Sequence, residues 1–131
     1  MNMVVVERAR GLIGVRFRPQ GRSREMGIDC LGLVLAAFAL PASCGRRNYP
    51  MRGVPRGEIE AGLAPWFRRI ARTRVGAGDV VLLQPGPGVL HLGIASGYGM
   101  IHADVRHGVV ERPGESPWPV VAAFRRRVRG A

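Results

Sequence analysis

Gly27-Ile28-Asp29-Cys30-Leu31-Gly32-Leu33-Val34 opens the longest apolar stretch of the chain, which runs from Leu31 to Ala42. From Cys30 to Leu40 the residues are apolar on every side, which predicts a central buried helix rather than a surface one. Asp29 is a natural N-cap, because a side-chain oxygen there accepts a free N–H of the first turn. Pro41 stops the helix, having no N–H to continue it. Cys30 therefore stands at the helix tip, where the dipole and the unpaired N–H groups favour thiolate. The N–H of Cys30 itself would point toward an oxyanion. Gly32, two residues on, lets a backbone or ligand come close. A cysteine inside an apolar helix is by default a small core residue. It is the position at the tip that makes Cys30 a candidate nucleophile.

Upstream, Val4 to Leu12 carry apolar residues at Val5, Ala9 and Leu12 with charges between, predicting a short amphipathic helix ended by Gly11 to Gly14. Arg16 to Met26 are rich in glycine and arginine and read as a loop, and Ala42 to Gly57 as irregular structure. Glu58 to Arg72 read as a further helix with Leu63, Trp66, Phe67 and Ile70 on one face, a reading that Pro65 weakens. After the turn Gly76-Ala77-Gly78-Asp79 come strands in series: Val80 to Gln84, Leu90 to Ser96, Gly99 to Ala103, Val109 to Glu111 and Val120 to Arg126. Short turns join most of them, so they pair antiparallel. Helices first and an antiparallel sheet after make the chain α+β. Its 131 residues suit one domain, residues 1–131.

The strand Leu90-His91-Leu92-Gly93-Ile94 puts His91 opposite to the large residues, on a face with Gly93 and Ala95. That face has room for a helix or a substrate, which suits a base packed against the Cys30 helix. His102, in Met100-Ile101-His102-Ala103, falls on the next strand and can fix the tautomer of His91. His107 precedes Gly108 in a turn and reads as exposed; Asp79 reads as structural, and Cys44 as structural or incidental.

The net charge is +11, and every one of the 20 basic residues is arginine. A coding sequence rich in G and C accounts for that bias. A basic surface still attracts polyanions such as nucleic acid, acidic lipid or cell-wall polymer. The cluster Arg125, Arg126, Arg127 and Arg129 reads as a solvated end, because no aromatic stacking pattern accompanies it. Apolar residues make up 47% of the chain, enough for a core, and no stretch is long enough to span a bilayer. The opening residues lack a basic leader followed by an apolar run, so synthesis in a cytoplasm without a signal peptide is expected. Cys30 and Cys44 show no C-x-x-C spacing, and no structural zinc or other metal is expected.

Asp29-Cys30-Leu31-Gly32-Leu33-Val34, Gly78-Asp79-Val80-Val81-Leu82-Leu83, His91-Leu92-Gly93-Ile94-Ala95 and Met100-Ile101-His102-Ala103 resemble, in order and spacing, the motifs of the NlpC-type cell-wall cysteine peptidases. The tail, from Val109-Val110-Glu111 to Trp118-Pro119-Val120-Val121-Ala122-Ala123-Phe124-Arg125, resembles the branch found in phages and gene transfer particles. The resemblance implies a compact papain-like fold, a nucleophile helix packed on an antiparallel sheet. It implies hydrolysis of peptidoglycan stem peptides, typically between γ-D-glutamate and a diamino acid, with no cofactor. It makes Cys30 the nucleophile, His91 the general base and His102 the orienting residue, with Asp29 holding the amine end of the stem peptide. Phe17 falls where many members have tyrosine within a Gly-Thr-Pro-Tyr run, and Leu31 where many have serine. Both departures touch substrate anchoring and leave the thiol–imidazole pair intact. Three rivals follow: an inactive structural component of a tail or baseplate, an acyltransferase or amidase on the same fold, and, from charge alone, a nucleic-acid module. The expected partners are the stem peptide and phage-like tail proteins, which also gives the absent leader a route to the wall.

Overall fold

A computed structural model describes residues 1–41 and 55–128. Cys44, Arg129 and most of the stretch read as irregular lie outside the described residues. The chain opens with helix α1 (Met3–Arg10), whose N-cap Asn2 accepts from the Val5 N–H through its side chain. Val5, Val6 and Ala9 form its buried face.

The region read as loop holds a small antiparallel hairpin, β1 (Arg22–Ser23) with β2 (Gly27–Ile28). Gly27 sits at φ +108°, and a Cβ there would press within 2.9 Å of the Arg16 carbonyl and the Arg18 side chain. The glycine content that suggested looseness is what lets these backbones come together. Phe17 bridges to Ile28 beside the hairpin.

Helix α2 (Cys30–Ala37) follows at once, with Asp29 as its N-cap: the carboxylate accepts from the Gly32 N–H at 2.8 Å. It ends three residues before the predicted Leu40. Ala39 takes a left-handed φ of +54° and the Leu40 N–H returns to the Leu35 carbonyl at 2.8 Å, a Schellman closure. Gly32 lies against the hairpin loop, where a Cβ would run into the Gly21 carbonyl. Close backbone approach at this glycine is as the sequence suggests.

The single helix expected over Glu58 to Arg72 is wrong. The structure has helix α3 (Arg56–Leu63), strand β3 (Phe67–Ile70) and a 3-10 turn at Arg72–Arg74. Pro65 cannot continue the helix, and beyond it the chain extends to pair with the C-terminal strand, Phe67 opposite Arg126 and Ile70 opposite Ala123.

The remaining strands are β4 (Val80–Gly86), β5 (Val89–Ala95), β6 (Gly99–Asp104), β7 (Gly108–Pro113) and β8 (Val120–Arg126). They and β3 form one antiparallel sheet in the order β3-β8-β4-β5-β6-β7. Strands β4 to β7 follow one another as a meander; β8 then returns to lie between β3 and β4. The α+β class and the helices packed on an antiparallel sheet stand as expected. One sheet face carries Val80, Leu82, Leu92, Ile94, Ile101 and Phe124 into a core shared with α1 and α2. The other gathers Val81, Leu83 and Met100 under Trp118 and Val120.

The face assigned to the helix needs correcting. Cys30, Leu33, Val34 and Ala37 of α2 pack with Leu92 and Ile94, the large residues of β5. The space at Gly93 belongs to Met100, whose thioether would meet an added Cβ head-on. Bulk on β5 marks the helix side because a buried helix needs apolar partners, and the small residues make way for a neighbouring strand.

Candidate active site

The N-terminus of α2 faces one end of the sheet, and a cleft of about 790 Å³ opens there. Phe17, Asp29, Cys30, His91 and His102 all line it. Local strand geometry makes the opening. β4 shifts register between Leu83 and Gly86, next to His91. The ladder between β5 and β6 pairs Ile94 with Ile101 and Ala95 with Met100, and stops before the two histidines.

Cys30 is 2% exposed. Burial, and then the neighbouring Asp29 charge, push its thiol up to about 12. The backbone N–H groups of Leu92, Leu31 and Cys30 itself pull the other way. The helix tip favours thiolate, as the backbone N–H contributions show, but burial opposes it more strongly and holds the thiol above its ordinary value. Cys30 shares the main core with Leu92, the residue that follows His91.

His91 Nε2 lies 3.0 Å from His102 Nδ1, with the rings at 90°. Burial, and then His102, lower His91 to about 4, while Asp104 opposes them. Burial also lowers His102, with Asp104 again raising it and Arg112 lowering it further. The constellation rests as neutral thiol and neutral imidazoles. Since Nε2 of His91 is engaged by His102, Nδ1 is the nitrogen left to receive a proton.

Asp29 is nearly enclosed. Its carboxylate accepts from the Gly32 N–H, the Arg22 guanidinium at 2.8 Å and the Gln20 N–H at 2.9 Å. Three donors of the chain itself hold the group that the resemblance assigns to a substrate amine, so its observed work is to fasten the hairpin loop to the helix tip. Phe17 offers the cleft a ring without a hydroxyl. Leu31 turns toward the main core and is partly buried against it.

Two further residues belong to the site and were not singled out from the sequence. Asp104 lines the cleft; although burial opposes it, the N–H groups of His107 and Arg106 and the His107 ring hold its carboxyl below its ordinary value. It lies two residues after His102 on one strand, hence on the same side, and that spacing was available to be read. Trp118 stands at right angles to both histidines, its ring centroid 5.7 Å from His91 and 5.3 Å from His102. Nothing periodic announces it; β8's return to the sheet brings it there. His107 is exposed and bonded to Asp104, and Asp79 is clamped by Arg125 at 2.8 and 2.9 Å, both as expected. Among the described residues no cluster of His, Cys, Asp or Glu could hold a metal ion, and no helix is long and apolar enough to cross a membrane.

Comparison with known proteins gives the same outline. The model of the NlpC/P60 family matches residues 14–122. No curated protein matches the sequence. Among solved structures, the NlpC/p60 domain of the peptidoglycan hydrolase SagA is similar with a TM-score of 0.57 at 23% identity, over 86% of this chain and 90% of that one. The peptidoglycan hydrolase RipB from Mycobacterium tuberculosis is similar with a TM-score of 0.62 at 23% identity; 94% of this chain aligns with 63% of RipB. RipD from the same organism, described as a non-catalytic NlpC/p60 domain protein adapted to peptidoglycan binding, is similar with a TM-score of 0.57 at 18% identity, over 94% and 95% of the two chains.

Proposed function

The chain belongs to the NlpC/P60 family, and on that premise we propose that it is a cysteine peptidase hydrolysing peptidoglycan stem peptides, at the bond between γ-D-glutamate and a diamino acid. One observation carries the reading. Cys30, at the tip of α2, lines the same cleft as His91, and the His91 ring is held by His102 at 3.0 Å.

As the sulfur attacks the amide carbonyl carbon, His91 Nδ1 takes the thiol proton. The carbonyl electrons move onto oxygen, near the N–H of Cys30. The tetrahedral species collapses to a thioester, and the amine leaves with the proton from His91. Water then attacks the thioester, giving its proton to His91, and the acid departs as the thiol is restored. The transient imidazolium bonds to His102 and lies in the field of Asp104, the cleft carboxylate whose charge favours it. Because the resting pair is neutral, ionisation accompanies attack rather than preceding it. Delivery on a phage-type tail is part of the same proposal, as is attraction of the +11 chain to anionic wall.

Purified protein is expected to thin isolated sacculi and release muropeptides with new termini, identified by mass spectrometry, and Cys30→Ala to abolish this. Undiminished cleavage by the alanine variant would falsify the assignment.

The buried, raised thiol favours a second reading, a wall-binding or tail component that keeps the fold and does not cut. Iodoacetamide separates the two. Modification of Cys30 that is fast at pH 7.5 and suppressed in His91→Gln supports the peptidase. An inert thiol, together with sacculus binding and no released peptide, supports the second.

A further inference from the structure

His102 carries a problem that the histidine pair alone does not solve. Its Nδ1 faces His91, and its Nε2 is fully buried with no nitrogen or oxygen partner among the described residues. A neutral histidine holds its proton on one ring nitrogen or the other, so the neighbourhood of Nε2 decides which. An aromatic ring packed against His102 is Trp118, at right angles with centroids 5.3 Å apart, an edge-to-face arrangement that allows an Nε2–H to meet the indole face.

We infer that Trp118 is a positioning residue that selects the base-competent tautomer of the His91–His102 pair through its indole π-system; this rests on the peptidase reading of the cleft. An N–H directed at a π-face is attracted to it, and a bare nitrogen lone pair is repelled. The indole therefore favours the proton on His102 Nε2. His102 Nδ1 is then an acceptor, and the proton of His91 must lie on Nε2 to meet it. His91 Nδ1 is left bare, and this is the nitrogen that has to take the thiol proton. In the opposite tautomer His102 donates from Nδ1, His91 holds its proton on Nδ1, and no base faces the sulfur.

Trp118 is built to stay in place. Its main-chain N–H donates to Ser116 Oγ at 3.0 Å, and that hydroxyl donates back to the Trp118 carbonyl at 2.8 Å. Pro117 and Pro119 flank it and restrict the backbone. The Arg112 guanidinium lies over the indole at 5.6 Å, and the ring packs on the second apolar cluster.

The test is nitrogen NMR of the full chain labelled with ¹⁵N-histidine, read at pH 7.5, beside steady-state kinetics on a muropeptide. In the wild type, His102 and His91 are both expected to be protonated at Nε2. Trp118→Leu is expected to lose the single His102 tautomer and to lower kcat about five- to tenfold with KM unchanged, the scale of one aromatic contact. Trp118→Phe, which keeps a π-face, is expected to retain the tautomer and most of kcat. A wild-type His102 protonated at Nδ1 overturns the inference. So does a folded Trp118→Leu whose tautomers stay as in the wild type, whatever its kcat. If the leucine variant does not fold, the wild-type and phenylalanine spectra decide. The spectra do not need turnover, so loss of the peptidase reading through Cys30→Ala and loss of this inference are separate results.

Discussion

His102 gives His91 an acceptor at 3.0 Å, and its replacements separate orientation from bulk. His102→Asn offers a carbonyl oxygen that can still accept from His91 Nε2, and His102→Leu offers nothing. We expect kcat to fall about tenfold or less for asparagine and about a hundredfold or more for leucine, because the wrong tautomer removes the base. Stopped-flow acylation with a muropeptide analogue reads the step, and equal losses in the two variants would remove His102 from the role of orienter. At this scale the sequence was informative about identity. Cys30 after a capping Asp29, and His91 and His102 eleven residues apart across a turn, do lie on one cleft. It was silent about protonation, since a helix tip favours thiolate while the burial that raises the thiol is set by tertiary packing. Trp118 was invisible because proximity across 16 residues, from His102, depends on where β8 returns.

Element boundaries depend on local chemistry that a hydropathy pattern blurs. Helix α2 is apolar past its end, and what ends it is Ala39 at φ +54°, closed by the Leu40 to Leu35 hydrogen bond. Left-handed backbone costs a residue with a Cβ roughly 1 kcal/mol relative to glycine. Ala39→Gly is therefore expected to stabilise the protein by about 1 kcal/mol with activity unchanged, read as a raised urea midpoint at constant slope. A lowered midpoint would mean that the glycine's extra freedom in the unfolded chain outweighs the relief. Pro65 was a legible break, yet its consequence was not: whether Phe67 to Ile70 continue as helix or become β3 is decided by the open edge of β8 waiting to pair. The hairpin of β1 and β2 was hidden for the opposite reason. Its two-residue strands are too short for any periodicity, and Gly21, Gly27 and Gly32 organise it by letting backbones touch.

For the whole molecule, the class and the meander were readable from turn spacing, and the order β3-β8-β4 was not, because strand insertion follows the burial of Phe124 and Ala122 rather than chain order. The same burial sets a pH window for stability. His91 falls from 6.5 to about 4 on folding, so between those values the unfolded chain binds more protons. Stability is fully present above 6.5 and is lost as pH falls toward 4, by about 3 kcal/mol from this group, with His102 acting in the same sense. Cys30 rises from 9 to about 12, so its contribution has the opposite sign: intact below 9, lost as pH rises toward 12, by on the order of 4 kcal/mol. The protein should thus be most stable between about pH 6.5 and 9, its melting temperature falling roughly 3 °C for each kcal/mol lost on either side. Thermal scans from pH 4 to 10.5 test this against two variants. His91→Gln should soften the acid limb alone, and Cys30→Ala the alkaline limb alone. An alkaline limb as steep in Cys30→Ala as in the wild type would show that the buried sulfur does not hold its proton, and that the nucleophile rests ionised after all.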